Sequence, residues 1–177
     1  MNFLIYPYSF DACHLHFGIA VQNNDATDSK FSRIIYSTKH ISFNGVGVVM
    51  NLAGAKHELH YNKMFMSFDT ALPANQILVS QLHAIECKII NKYVDAVMGC
   101  TRRCIHSLTD QLNSGCIKAY VNDHKWSGET NNANANASAN PIGNAIMNAN
   151  GNQFMLKICG VWETNEECGI TYKFIKC

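Results

Sequence analysis

The chain contains few charged residues and no long apolar run. Charged residues make up 15% of its 177 positions, and 14 lysines and arginines nearly balance 13 aspartates and glutamates, for a formal net charge of +1. This balance excludes the global positive field that is typical of proteins binding duplex DNA. No apolar stretch approaches the roughly 20 residues of a membrane-spanning helix. We therefore expect a soluble protein without a membrane partner, in which any anionic partner is met by a local group of cations.

The chain also lacks the features of exported, fibrous and disordered proteins. Its N-terminal segment has no basic region and includes Pro7, which argues against a cleaved signal peptide. A composition of 47% hydrophobic and 10% aromatic residues excludes collagen-like, coiled-coil and wholly disordered chains. The length predicts a single domain spanning residues 1–177.

The cysteines are more consistent with free thiols than with a disulfide framework. The chain has 8 cysteines, and eight allow 105 pairings, among which sequence alone does not choose. Cys87 lies in a helical pattern, whereas Cys116 and Cys159 lie in apolar, strand-like runs where a free cysteine behaves as a small buried hydrophobe. Together with the missing export signal, this pattern predicts a reduced, intracellular protein of the cytoplasm or nucleus.

Strand signals dominate both ends of the chain, and two helices lie between them. Alternating or apolar runs predict strands over residues 3–6, 13–21, 31–37, 40–52 and 57–68, and again over 116–121, 154–162 and 169–177. Asn44 and Gly45 interrupt the fourth run, either as a hairpin turn or as part of a bulged, bent strand.

The helices are predicted from apolar spacing and from their end signals. Apolar residues at three-and-four spacing, with Pro73 in the first turn, predict a helix over residues 73–98. A shorter helix is predicted over 101–113, with Thr101 as N-cap and Gly115 ending it. Residues 131–152 contain only asparagine, alanine, glycine and a few other uncharged residues, and predict a mobile loop.

The predicted order of elements is that of an α+β protein, with a long and a short helix inserted before the last three strands. Two architectures fit this order. One is an antiparallel sheet with the helices packed on one face. The other is a barrel resembling the oligonucleotide/oligosaccharide-binding (OB) fold, in which the segment 122–153 would be a loop that grips an oligonucleotide.

No motif in the chain defines an enzyme or a metal centre. Cys13, His14 and His16 form one cluster of zinc-ligand types, and Cys100, Cys104 and His106 form a second. Neither has the matched pairs of a closed zinc site. There is no glycine-rich phosphate loop and no local signature of a Cys-His nucleophile. We expect a non-enzymatic protein with no cofactor, and we keep a Cys/His metal-binding protein as a second alternative.

Aromatic and basic residues interleave along the predicted strands. Such mixing is typical of proteins that bind single-stranded nucleic acid, because rings stack on bases while lysine and arginine contact phosphates. Trp126 lies beside Lys125 at the start of the polar loop, where burial in a core is least expected. The predicted nucleic-acid-binding residues are Arg33, Tyr61, Lys63, Lys118, Tyr120, Lys125, Trp126, Tyr172 and Lys173.

The C-terminal stretch 154–174 reads Leu-x-Ile-x-Gly-Val-Trp, a short polar turn, and then Gly-Ile-Thr-Tyr-Lys-Phe. It resembles the closing hairpin of viral single-stranded-DNA-binding proteins of the OB type. The resemblance implies an OB core, cooperative coating of single strands during DNA replication, and action in the infected host cell beside other viral proteins. The alternative is a structural or scaffolding protein of a virus particle, and a homo-oligomer is expected for either class.

Overall fold

The computed structural model describes residues 4–22, 28–60, 63–96, 102–120 and 153–176, and these form a mixed α+β fold. The helices are α1 (Pro73–Ala96) and α2 (Ser107–Asn113). The strands are β1 (Leu4–Ile5), β2 (Leu15–Phe17), β3 (Val21–Gln22), β4 (Lys30–Ser37), β5 (Ser42–Asn44), β6 (Val46–Asn51), β7 (Lys56–His60), β8 (Lys63–Ser67), β9 (Arg103–Ile105), β10 (Cys116–Tyr120), β11 (Gln153–Glu163) and β12 (Glu167–Lys176). The predicted fold class is confirmed, and the predicted loop at 131–152 lies outside the described residues.

The antiparallel hairpin of β11 and β12 forms the centre of the sheet. β11 pairs with β6 up to Ile158 and with β4 from Gly160 onward, and the register shift between these two residues marks a bulge. β12 pairs in parallel with β9 near its start and with β10 near its end. The hairpin therefore carries different neighbours at its two ends, because the bulge bends β11 from one partner toward another.

The sheet is open. Its main path runs β1, β6, β11, β12, β10, β8, β7, and the two terminal strands of this path do not pair with each other in the described part of the chain. The OB-like barrel considered from the sequence is therefore wrong for these strands, and the architecture observed is an open, mostly antiparallel sheet with the helices on one face. The order of elements along the chain is shared by both architectures, so it did not distinguish them.

Three of the predicted strands are each divided in two, and the run 13–21 contains β2 and the start of β3. At Gly45, whose φ is 82°, the chain leaves β5, which pairs with β4, and enters β6, which pairs with β11. The two strands do not form a hairpin with each other, so the bent-strand interpretation is the correct one. The run 57–68 is instead a hairpin of β7 and β8, which pair from Lys56–Ser67 to His60–Lys63.

Helix α1 covers one face of the sheet and forms the core with it. Its apolar residues at three-and-four spacing, including Leu82, Ile85 and Ile89, are buried together with Leu156 and Phe174 of the central hairpin. The spacing predicted this helix because such residues share one side of a helix. No described helix is both long enough and apolar enough to cross a membrane.

Helix α2 begins at Ser107 rather than at Thr101, and residues 103–105 form β9 instead. The first turn of α2 is capped by Glu86 of α1, whose carboxylate accepts hydrogen bonds from the backbone N–H groups of Leu108 and Thr109, each at 3.0 Å. A cap contributed by another helix leaves no local sequence signal. The predicted end was correct, since Gly115 follows α2 with a φ of 69°.

The six described cysteines are free thiols. The expectation that Cys116 and Cys159 are buried is wrong: Cys116 is exposed on β10, and Cys159 is half-buried at the bulge of β11. Both lie in apolar runs, but strand alternation and the bulge place their side chains away from the core.

Candidate nucleic-acid interface

The sheet face opposite α1 carries the candidate interface and is called the outer face below. Side chains alternate between faces along a strand, and directly paired residues of antiparallel strands share a face. Ile117 and Ala119 of β10 point into the core, so Lys118 and Tyr120 point outward. Their partners on β8 are Phe65 and Lys63, respectively.

Two aromatic rings and several lysines are accessible on this face. Phe65 is 40% exposed and Tyr120 is 45% exposed. The ammonium group of Lys118 lies 5.8 Å from the centre of the Phe65 ring, a cation–π arrangement that holds the lysine beside the ring. Because Phe65 is paired with Lys118 and Lys63 with Tyr120, rings and cations alternate in a checkerboard across β8 and β10.

The outer face is locally positive although the chain is nearly neutral. On β7, β8, β10 and the C-terminal half of β12, its described charged residues are four lysines and one glutamate, namely Lys56, Lys63, Lys118, Lys173 and Glu58. Lys157 of β11 is paired with Lys173 and extends the positive region by one strand. An anionic chain lying across these strands would meet mostly cations.

A cavity of about 470 Å³ opens between β10 and β12. These strands pair only at Ala119–Phe174 and Tyr120–Ile175, so they separate beside Lys118 and Lys173. The cavity is lined by Gln111, Lys118, Tyr120, Tyr172, Lys173 and Phe174. It therefore brings together four of the residues predicted from the sequence, Lys118, Tyr120, Tyr172 and Lys173.

Tyr172 forms part of the cavity wall and is held in place by α2. Its hydroxyl lies 3.0 Å from the carbonyl oxygen of Ser107 and 2.8 Å from Oε1 of Gln111, to which it donates. Its ring packs edge-on against Phe174 at a centroid distance of 5.7 Å. Burial raises the pKa of this phenol above its ordinary value. Tyr172 and Phe174 lie on the helix side of β12, so Tyr172 presents a fixed, half-buried ring edge from that side, whereas Tyr120 presents an exposed ring on the outer face.

Two other predicted residues are described and do not line the cavity, Lys63 and Arg33. Lys63 is on the same face, paired with Tyr120. Arg33 is exposed on β4, opposite Gly160, which places it three strands from β10 and roughly 14 Å away at the usual strand spacing. Tyr61, Lys125 and Trp126 lie outside the described residues.

Sequence reasoning missed Phe65 and Lys157 as site residues. Phe65 lies among the interleaved aromatic and basic residues, but it was left out of the predicted set because a core position was the alternative for its ring. The alternation itself was available as a signal, since a strand with Met64 and Met66 inside must have Phe65 outside. Lys157 gave no such signal, because its relation to Lys173 arises only from the pairing of β11 with β12.

No protein-family model, no curated protein and no solved structure matches this chain.

Proposed function

We propose that this protein binds single-stranded nucleic acid across the outer face of its sheet, with the cavity between β10 and β12 as the centre of the site. Single-stranded DNA during viral replication is the substrate and context that the sequence resemblance implies. The observation that carries the proposal is the cavity itself, which is lined by an exposed ring, Tyr120, together with the cations Lys118 and Lys173.

The chemistry of this surface suits a single strand better than a duplex. A single strand offers unpaired bases, and each base stacked on an aromatic side chain contributes about 1–3 kcal/mol. Phe65 and Tyr120 are diagonal neighbours on paired strands, which separates such residues by about 7–8 Å and lets two bases of one strand stack together. In a duplex the bases are paired and stacked inside the helix, so neither ring could stack on them.

An open sheet is compatible with this function. In some RNA-binding domains, rings on the exposed face of a four-stranded sheet stack two or three bases without a barrel. Only cations close to the bound strand contribute to phosphate binding. Salt screens the interaction between exposed charges over about 8 Å, so charges elsewhere on the chain have little influence. A net charge of +1 is thus no obstacle.

The direct test is a salt titration of oligonucleotide binding by fluorescence anisotropy. The probe is labelled oligothymidylate of about 20 nucleotides, which exceeds the roughly 4–16 nucleotides that one OB-type domain covers. Contacts with about four phosphates predict a slope near −3 in a plot of log K against log salt concentration. A uridylate probe and a duplex probe measure the preference for DNA over RNA and for single strands over duplex.

Stacking is tested by removing an exposed ring. Tyr120→Ala should weaken binding by about 1–3 kcal/mol, which is roughly 5- to 150-fold. Tyr8→Ala is the matched control, because Tyr8 is 75% exposed but follows β1 and lies beside α1 rather than on the outer face. Equal losses from both variants would mean that the cavity ring has no special role.

The phosphate contacts are tested by neutralising one cation. Lys118→Gln should make the salt slope less steep by about 0.7, the contribution of one phosphate in a single strand. Lys88→Gln removes the same charge from an exposed position of α1 and should leave the slope unchanged. A particle scaffold, the rival hypothesis, predicts no saturable, salt-sensitive binding by the unmodified protein.

A further inference from the structure

A second cluster of reactive side chains lies on the helix side of the sheet, where α1 meets the start of α2. The donor atoms of His83, Cys87 and His106 all lie within 4.8 Å of one another. This group is neither of the clusters considered from the sequence, although it shares His106 with the second. Cys13, His14 and His16 do not form a three-donor group within the described residues, and Cys100 lies outside them.

The fold brings these three residues together through two local features. His83 and Cys87 are four residues apart, so they lie on the same side of α1. His106 precedes α2, whose first turn is fixed to α1 by the buried carboxylate of Glu86. Because Glu86 is adjacent to Cys87, this cap places the His106 ring over the thiol, with Nδ1 at 3.9 Å from Sγ.

We propose that His83, Cys87 and His106 bind a zinc-type divalent transition metal through Nε2, Sγ and Nδ1, respectively. Two imidazole nitrogens and one thiolate are ligands that zinc prefers over the oxygen ligands of calcium or magnesium. Tetrahedral zinc with these bond lengths separates its nitrogen and sulfur ligands by about 3.6 Å. The distances from Sγ of Cys87 to Nε2 of His83, 3.5 Å, and to Nδ1 of His106, 3.9 Å, are close to that value.

A hydrogen-bond relay orients His83 as such a ligand. The hydroxyl of Thr109 lies 2.6 Å from Oε2 of Glu86 and donates its proton to that carboxylate. The Thr109 oxygen is then an acceptor for Nδ1–H of His83, at 2.9 Å. With its proton on Nδ1, His83 has the lone pair of Nε2 available for a metal, and Nε2 is the nitrogen nearer to Sγ of Cys87, at 3.5 Å against 3.9 Å for Nδ1. Relays of this kind are typical of metal-binding histidines, because they fix the tautomer and the orientation of the ring.

A metal accounts for all three donors of this cluster, whereas a nucleophilic cysteine needs only one histidine beside it. A bound cation displaces the thiol proton of Cys87 and stabilises the thiolate. The proton leaves to solvent on binding, and the metal takes up the sulfur lone pair.

The test is the binding of Co²⁺ to the full-length, reduced and metal-free protein, followed by absorption spectroscopy. We expect one Co²⁺ per chain, a thiolate-to-cobalt charge-transfer band and displacement of the cobalt by Zn²⁺. Cys87→Ser should abolish the band, whereas the matched control Cys13→Ser should retain it. A folded, unmodified protein without the band, or a band that survives in Cys87→Ser, would overturn the proposal.

Further variants keep the test valid should Cys87→Ser fold poorly. His106→Ala should weaken Co²⁺ binding by at least about tenfold, and Thr109→Val should weaken it by about 10–100-fold while the charge-transfer band remains. Circular dichroism of each metal-free variant checks that it is folded. Cys104→Ser should keep the band, and its loss there would overturn the assignment of Cys87 as the sulfur ligand.

Discussion

Replacing Glu86 with glutamine tests whether one buried carboxylate joins the two helices. Its side chain is fully buried and accepts three hydrogen bonds, two from backbone N–H groups at 3.0 Å and one from the hydroxyl of Thr109 at 2.6 Å. A glutamine side chain has the same shape but only one acceptor oxygen. Whichever way its amide is turned, the backbone N–H of Leu108 or of Thr109 faces an NH₂ group.

The size of the effect follows from these contacts. Losing one hydrogen bond to a charged group costs about 1.5–3 kcal/mol, and losing the favourable charge at a helix N-terminus adds about 0.3–1 kcal/mol. The lower cost of burying a neutral amide offsets part of this loss. We expect Glu86→Gln to lower the free energy of unfolding by about 1.5–3 kcal/mol, and Tm by about 3–12 °C for a chain of this length.

The measurement is urea unfolding followed by circular dichroism, in a buffer with a chelator so that bound metal does not contribute. Glu166→Gln is the control, because it makes the same chemical change on an exposed turn residue. It should change stability by no more than about 0.5 kcal/mol. If Glu86→Gln were as mild as its control, the carboxylate would not hold α2, and the reasoning that places His106 beside Cys87 would fail with it.

Three further predictions concern stability. Burial raises the pKa of Tyr93 above its ordinary 10.0. Above about pH 10 the unfolded chain therefore loses this proton first, and the free energy of unfolding falls as pH rises. Tyr93→Phe should reduce that fall in urea unfolding curves at alkaline pH. Gly45→Ala should lower the free energy of unfolding by about 2–4 kcal/mol. The φ of Gly45 is +82°, and an added Cβ would lie 2.6 Å from the carbonyl oxygen of Ile158. Thermal unfolding measures this loss, and an unchanged Tm would contradict the bend described at this residue. Asn75→Ala should lower the free energy of unfolding by about 2–4 kcal/mol. The buried amide of Asn75 accepts a hydrogen bond from the Ala53 N–H and donates to the carbonyl oxygens of Ala53 and Asp69. A loss below about 1 kcal/mol would show that water replaces these bonds.

The elements whose signals are local were predicted best from the sequence. Helix α1 was predicted because its apolar residues recur at helical spacing, and the end of α2 because Gly115 alone tolerates the required φ. The two C-terminal strands were placed within about two residues of their observed ends, which is the usual uncertainty of such boundaries. The start of α2 was wrong because Glu86, its cap, is contributed by a different helix.

The candidate interface was predicted in part. Lys118, Tyr120, Tyr172 and Lys173 were chosen for the mixing of rings and cations, and the structure gathers them around one cavity. Phe65 was missed because the same apolar neighbours suit a core strand and a strand with one exposed face. The cluster of His83, Cys87 and His106 was missed because the spacing from Cys87 to His106 has no meaning until α2 packs on α1.

The sequence by itself determined helix α1, the end of α2 and the two C-terminal strands, and which residue types are available for contact with phosphates, bases or metals. These properties depend on spacing along the chain and on the chemistry of single side chains. Only the tertiary structure decided that the sheet stays open, that Lys118 and Lys173 face each other across a cavity, and that two imidazoles meet one thiol. Those relations depend on which strand pairs with which and on how α2 is capped, and both are set by contacts between residues far apart in the chain.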